Sequence, residues 1–102
     1  MHKDLPKGLV KYGGTPVFTE KTVPHKLTNA HDTKPGVWGK LIVLEGGLDY
    51  VIPGPPEERM RIEAGQFGVI EPEVMHFVAP LGAVTFRVDF YRAEQDDRLS
   101  GN

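Results

Sequence analysis

The chain has no cysteine, so any metal site or nucleophile it builds must come from other side chains. Four histidines are present, and two of them stand beside carboxylates: His31 next to Asp32, and His76 shortly after Pro72, which Glu71 and Glu73 flank. Two imidazoles and one carboxylate around an ion, with open positions left for water, suit zinc, iron or manganese. Each residue also has a plainer reading. A histidine that opens a strand commonly spends its ring on a backbone carbonyl, one in a polar run such as "HDTK" is solvated, and carboxylates at a turn are hydrated. His2 and His25 lie outside any motif. No serine nucleophile is available, because Ser100 is the only serine and lies near the end of the chain. Gly65 and Gly68 are too close together, and too strand-like in their surroundings, for a phosphate-binding loop.

The elements that must position these residues are short strands. Nine prolines and twelve glycines interrupt the chain, and no window keeps apolar residues at helical spacing for three turns. Runs rich in Val, Ile, Phe and Tyr occur at 15–18, 37–44, 48–52, 59–62, 66–70, 76–79 and 83–91. Regularly spaced strands of this kind predict an all-β sandwich or barrel. Gly46-Gly47 offers positive φ at two adjacent positions, which predicts a tight hairpin pairing 37–45 with 48–52. The stretch "PGPPEERM", residues 53–60, reads as a loop because its prolines cannot donate to a ladder. From residue 93 the sequence becomes polar and acidic and predicts a frayed tail, leaving 1–92 as the single domain.

Composition narrows the function classes. With 39% apolar and 25% charged residues, the 102-residue chain is ordinary globular material, enough for one modest core. A net charge of −2 with scattered Lys and Arg argues against nucleic acid as a partner. The start of the sequence carries no apolar run of signal-peptide length and no stretch reaches the length of a membrane span, so the expectation is a soluble, cytoplasmic protein with no membrane partner.

The stretch "IEAGQFGVIEPEVMHFVAP" resembles the second cupin motif, in which a glycine opens a strand, a prolyl turn follows, and a histidine eleven residues after the glycine binds metal; Gly65 to His76 has that interval. "VLEGGLDYVI" is similar to the end of the first cupin motif, which carries a glutamate seven residues before its hairpin glycine. Counted back from Gly46, that position is Gly39, which has nothing to coordinate with. Taken together, "LPKGLVKYGGTPVFTEKTVP", "HDTKPGVWGKLIVLEG", "EPEVMHFVAPLG" and "FRVDFY" resemble the TehB/YeaR-like family of small cupins, related to the domain fused to some tellurite-resistance methyltransferases. The resemblance runs from about Leu5 to Arg92.

That resemblance implies a single-domain cupin, a double-stranded β-helix or jelly-roll barrel, holding a divalent metal, zinc foremost with iron or manganese as alternatives. The matching positions His31, His76, Glu73 and Glu71 form the ligand pool, with Glu73 preferred over Glu71. It also implies a role with a small, anionic molecule in tellurite or oxidant stress, and a homodimer by analogy with other cupins. Methyl transfer is not implied, since the matched segments lie outside the methyltransferase half. The alternative is a non-catalytic module for small-ligand binding or dimerisation, with a structural metal or none. Lys40 and Arg87 alternate with large apolar residues and are the candidates to hold an anion at the barrel mouth, against the plainer reading of a solvated outer face. Glu45 either faces the interior by strand parity or forms a rim ion pair. Trp38, Phe67, Phe77, Phe86 and Phe90 are expected to fill core or interface.

Overall fold

The computed structural model describes residues 3–94. It is all-β apart from one helical turn: β1 Leu9–Gly14, β2 Phe18–Thr19, α1 His25–Thr28, β3 Trp38–Ile52, β4 Glu58–Glu63, β5 Phe67–Ile70 and β6 Phe77–Ala93. β3 and β6 are the spine. They pair antiparallel from Trp38 opposite Tyr91 to Val51 opposite Phe77. β5 adds to the first half of β3, β4 adds to its second half, and β1 and β2 add to β6. The hydrogen-bonded sheet is not closed into a ring. No helix among the described residues is long and apolar enough to cross a membrane.

The hairpin expected at Gly46-Gly47 does not form. β3 passes through both glycines, and the segments expected to pair with each other are two halves of one strand. The pairing with β6 shifts register between Val43 and Glu45 and again between Gly46 and Leu48. A bulge bends a strand and needs a glycine where the backbone turns left-handed or another chain approaches closely. Gly46 meets both needs, with φ of 71° and no room for a Cβ against the carbonyl of Ala83. β6 likewise runs unbroken through 80–82, where two strands were expected.

Three boundaries also differ. The expected strand at 15–18 shrinks to β2, while β1 forms upstream, where exposed Val10 and Tyr12 and a terminal glycine pair obscure its pattern. The loop after β3 ends early, because β4 begins at Glu58. Ala93 still belongs to β6, and the Glu94 amide donates to the Gly8 carbonyl at 3.2 Å; the rest of the expected tail, 95–102, lies outside the described residues.

Alternation along the spine sorts the side chains. Leu41 and Val43 of β3 and Val84, Phe86 and Val88 of β6 point into the core, joined from the other half by Leu48, Tyr50, Ile62 and Val78. On the opposite side, buried Asp49 accepts from Arg59 at 3.0 Å and Arg61 at 2.8 Å. The Arg61 hydrogen bond is the main reason that the Asp49 carboxyl is held below its ordinary range, with Arg59 adding to it against the cost of burial.

Candidate ligand-binding site

Between β2 and β3 the chain crosses the core as a strap, residues 20–37, and its single formal pairing is a one-residue antiparallel bridge from His31 to His76. The His31 amide donates to the His76 carbonyl at 3.0 Å and the His76 amide donates back at 2.8 Å. The strap is tied again nearby: the Glu73 amide donates to the Thr33 carbonyl at 3.0 Å, and the Thr33 hydroxyl donates to the Val37 carbonyl at 2.8 Å. Residues directly opposite in an antiparallel pair project to the same side. The backbone therefore sets the two imidazoles together, ring centres 4.3 Å apart and edge to face.

Each ring is oriented in the same way. Nδ1 of His31 lies 2.9 Å from the Asn29 carbonyl and Nδ1 of His76 lies 2.8 Å from the Val74 carbonyl. A carbonyl oxygen only accepts, so each Nδ1 carries the proton and the neutral ring keeps its lone pair on Nε2, the form that binds a metal or accepts a hydrogen bond. Burial pushes the pKa of His76 below the ordinary histidine value, and neighbouring His31 adds to this, while the Val74 carbonyl and Asp32 act the other way. Its ring also packs against Tyr50 at 5.3 Å.

Both histidines line a cavity of about 380 Å³ between the strap and the inner sheet face. Its walls are apolar, with Leu41, Ile70, Val78, Phe86, Val88 and Phe90 contributed by β3, β5 and β6. His76, 2% exposed, sits deep. Exposed Lys26, Asp32 and Lys34 stand at the mouth. Gly39, which stands where the cupin motif has its glutamate, is buried, and a Cβ there would meet Ile70 side-chain carbons at 3.0 and 3.1 Å. Ile70 thus occupies the space a longer residue at 39 would need.

The remaining sequence-based candidates fall elsewhere. Among the described residues no three His, Asp or Glu side chains converge in a way that could hold a metal ion, so the turn carboxylates are not assembled with the histidine pair. Glu73 is exposed, with φ of 61°. Glu71 is partly buried, and its charge, with that of Glu58, adds to burial in raising the pKa of the Tyr50 hydroxyl. That hydroxyl is buried without a hydrogen-bond partner. Lys40 and Arg87 do not line the cavity, because they alternate with the inward residues Leu41, Phe86 and Val88 and point to the other side of the sheet. Lys40 lies 4.4 Å over the Phe67 ring, and Arg87 pairs with Asp89 at 3.2 Å. Glu45 is exposed and accepts from the Thr85 hydroxyl at 3.3 Å, since the bulge breaks the parity that would have turned it inward. Lys26, Leu27 and Lys34 were not anticipated; the strap that carries them has no periodic pattern, and only its adjacency to His31 in "HDTK" hinted at a site.

The sequence matches the TehB-like domain over residues 14–88. YeaR of Escherichia coli strain K12 is 30% identical over 100 residues, covering 89% of this chain and 84% of YeaR. A crystal structure of a protein from the same E. coli strain superposes with a TM-score of 0.82 at 29% identity, covering 90% of this chain and 98% of that one. TehB of Haemophilus influenzae superposes with a TM-score of 0.78 at 27% identity, over 93% of this chain but 35% of TehB. KdgF from Halomonas sp. (TM-score 0.52, 19% identity, 88% of this chain and 70% of that one) and a cupin-2 protein from Shewanella frigidimarina (0.50, 20%, 79% and 64%) share the fold alone. The match over most of its residues, together with a relative 30% identical along nearly its whole length, shows that this cupin-like chain belongs to the TehB-like domain family.

Proposed function

We propose that this domain binds a small molecule in the cavity beneath the strap, and that His31 and His76 are its polar contact. The observation that carries this reading is the paired orientation of the two rings: each Nδ1 is committed to a carbonyl, which leaves an Nε2 lone pair on each of two rings whose centres lie 4.3 Å apart and which both line a cavity with apolar walls. Pockets of a few hundred Å³ with apolar walls and a few placed polar groups are the ordinary form of a small-molecule site.

The pair can act in two ways. In the first it holds one divalent ion, zinc foremost with iron or manganese next, whose other positions go to water and the guest. Two protein ligands are one short of the usual open zinc site. Glu71 and Glu73 both stand outside the cavity lining, so either would have to shift its side chain to supply a third. A bound ion there would polarise an oxygen of the guest. In the second the imidazoles accept hydrogen bonds from the guest directly, a reading favoured by the lack of a third converging His, Asp or Glu among the described residues. A part in tellurite or oxidant stress is what the family resemblance of the sequence implies.

Elemental analysis of protein purified without added metal separates the two. Stoichiometric zinc, iron or manganese in the wild type, lost in both His31→Ala and His76→Ala, is the outcome expected of the ion-holding form. A wild type that carries no metal and takes up none on titration leaves only direct recognition.

A further inference from the structure

The cavity's two ends differ in chemistry. Its depth is hydrocarbon and aromatic, with Phe18, Leu27, Phe86 and Phe90 facing it from three different elements, and Phe18 and Phe86 in ring contact at 5.8 Å. A fully hydrated inorganic ion gains nothing from such walls, whereas an apolar body does. Its mouth is cationic: Lys26 and Lys34 line it, against Asp32 as the one carboxylate in the lining among the described residues. A third cation stands at the rim, where the Arg92 guanidinium lies 4.5 Å over the ring of Tyr12, itself part of the lining.

What distinguishes the two lysines is their place: among the described residues they carry no ion pair and they line the cavity, whereas the ion-paired cations lie along the sheet and outside it. Along the sheet, Arg59 and Arg61 share Asp49, and Arg87 and Lys11 share Asp89. Neither Lys26 nor Lys34 has an ion-pair partner among the described residues. Unpaired positive charge at the opening of a low-dielectric cavity attracts and orients an anion without having to break an existing ion pair.

Resting on the small-molecule reading above, we infer that the guest is a small amphipathic anion: an apolar body held between the strap and the inner sheet, and a carboxylate-like head read at the mouth by Lys26 and Lys34. This assigns the anion contact to the strap and takes it away from Lys40 and Arg87.

The test compares octanoate with 1-octanol, which share an alkyl body and differ in charge, by calorimetric titration of the wild type and a Lys26→Gln/Lys34→Gln variant, with the His76 ring resonances as the report of cavity occupancy. Both lysines are exposed, so the variant is expected to fold as the wild type does, checked by circular dichroism. The expected result is that octanoate binds roughly five-fold more tightly than octanol, the scale of two exposed ion pairs, and that the preference disappears in the variant and at high salt. Equal binding of the two molecules, or a preference that survives in the variant, overturns the anionic head and leaves the small-molecule site standing. Binding of neither, with His76 unmoved, overturns both. Inorganic phosphate displacing octanoate at equal concentration overturns the requirement for an apolar body.

Discussion

A single missing side chain shapes the site as much as the ones present. At position 39 glycine removes the carboxylate a cupin strand would offer, and the room so released is taken by Ile70. Gly39→Ala should therefore cost about 1–2 kcal/mol through crowding, a cost that falls when Ile70→Val opens the space. A double-mutant cycle from urea midpoints measures this. Additive effects would show that residues 39 and 70 do not compete for one volume. His76 was legible as a special residue from its interval to Gly65, because turn and strand lengths dictate where it emerges. Its pairing with His31 was expected only through the family resemblance, since the two are far apart in sequence and meet through a single backbone bridge. Lys40 and Arg87 illustrate the reverse: strand alternation alone put them on one side, but which side faces the cavity is settled by burial of Leu41, Phe86 and Val88.

At the scale of elements, a glycine pair has two structural uses, and here the bulge prevails over the turn. A hairpin loop would make Gly46 and Gly47 about equally sensitive to substitution. In the bent β3 they differ sharply: a Cβ at Gly46 collides with Ala83 backbone at a positive φ, while one at Gly47 makes ordinary contact, nearest atom 3.5 Å. Gly46→Ala is expected to destabilise by about 3 kcal/mol or more and Gly47→Ala by about 1 kcal/mol or less, read from thermal or urea unfolding. Similar losses at both would restore the hairpin. The β3–β4 pairing also carries a pH signature. Asp49 has its pKa depressed from the ordinary 3.8 by Arg61 first and Arg59 after it. A depressed acid contributes stability that is full above its unfolded value and is lost as the pH falls through the folded one. Wild-type stability should thus drop below pH 3.8, and an Asp49→Asn variant should show a shallower acid limb in urea midpoints measured across that window. An unchanged slope would mean that the arginines do not hold the carboxylate in solution.

For the whole molecule, the open sheet and the strap belong to one design. The core's inner face is covered by a segment joined to it through the His31–His76 bridge, so whatever the two rings hold also ties residues 20–37 to the start of β6. Binding to both histidines is then expected to slow amide hydrogen exchange at His31 and His76, whose N–H groups form the bridge. At a ligand concentration of 100 Kd the slowing should approach about a hundred-fold if exchange requires the bridge to open and release the ligand. Zinc chloride is the first probe, and protection confined to one of the two amides would show that the ion does not span the pair.

The sequence by itself determined the class of fold and the identity of the family. Breaks at proline and glycine with β-branched runs between them permit little else, and the Gly65-to-His76 interval is a local property of one turn and two strands. Only the tertiary structure decided what those elements do together. Whether Gly46-Gly47 turns or bends depends on Ala83 and Val84 pressing from β6, and which lysines meet a guest depends on how an aperiodic strap lies across the core. Local pattern encodes the conformation of a segment; its partners are encoded by packing among segments distant in sequence, where the signal is spread over many residues and none carries it alone.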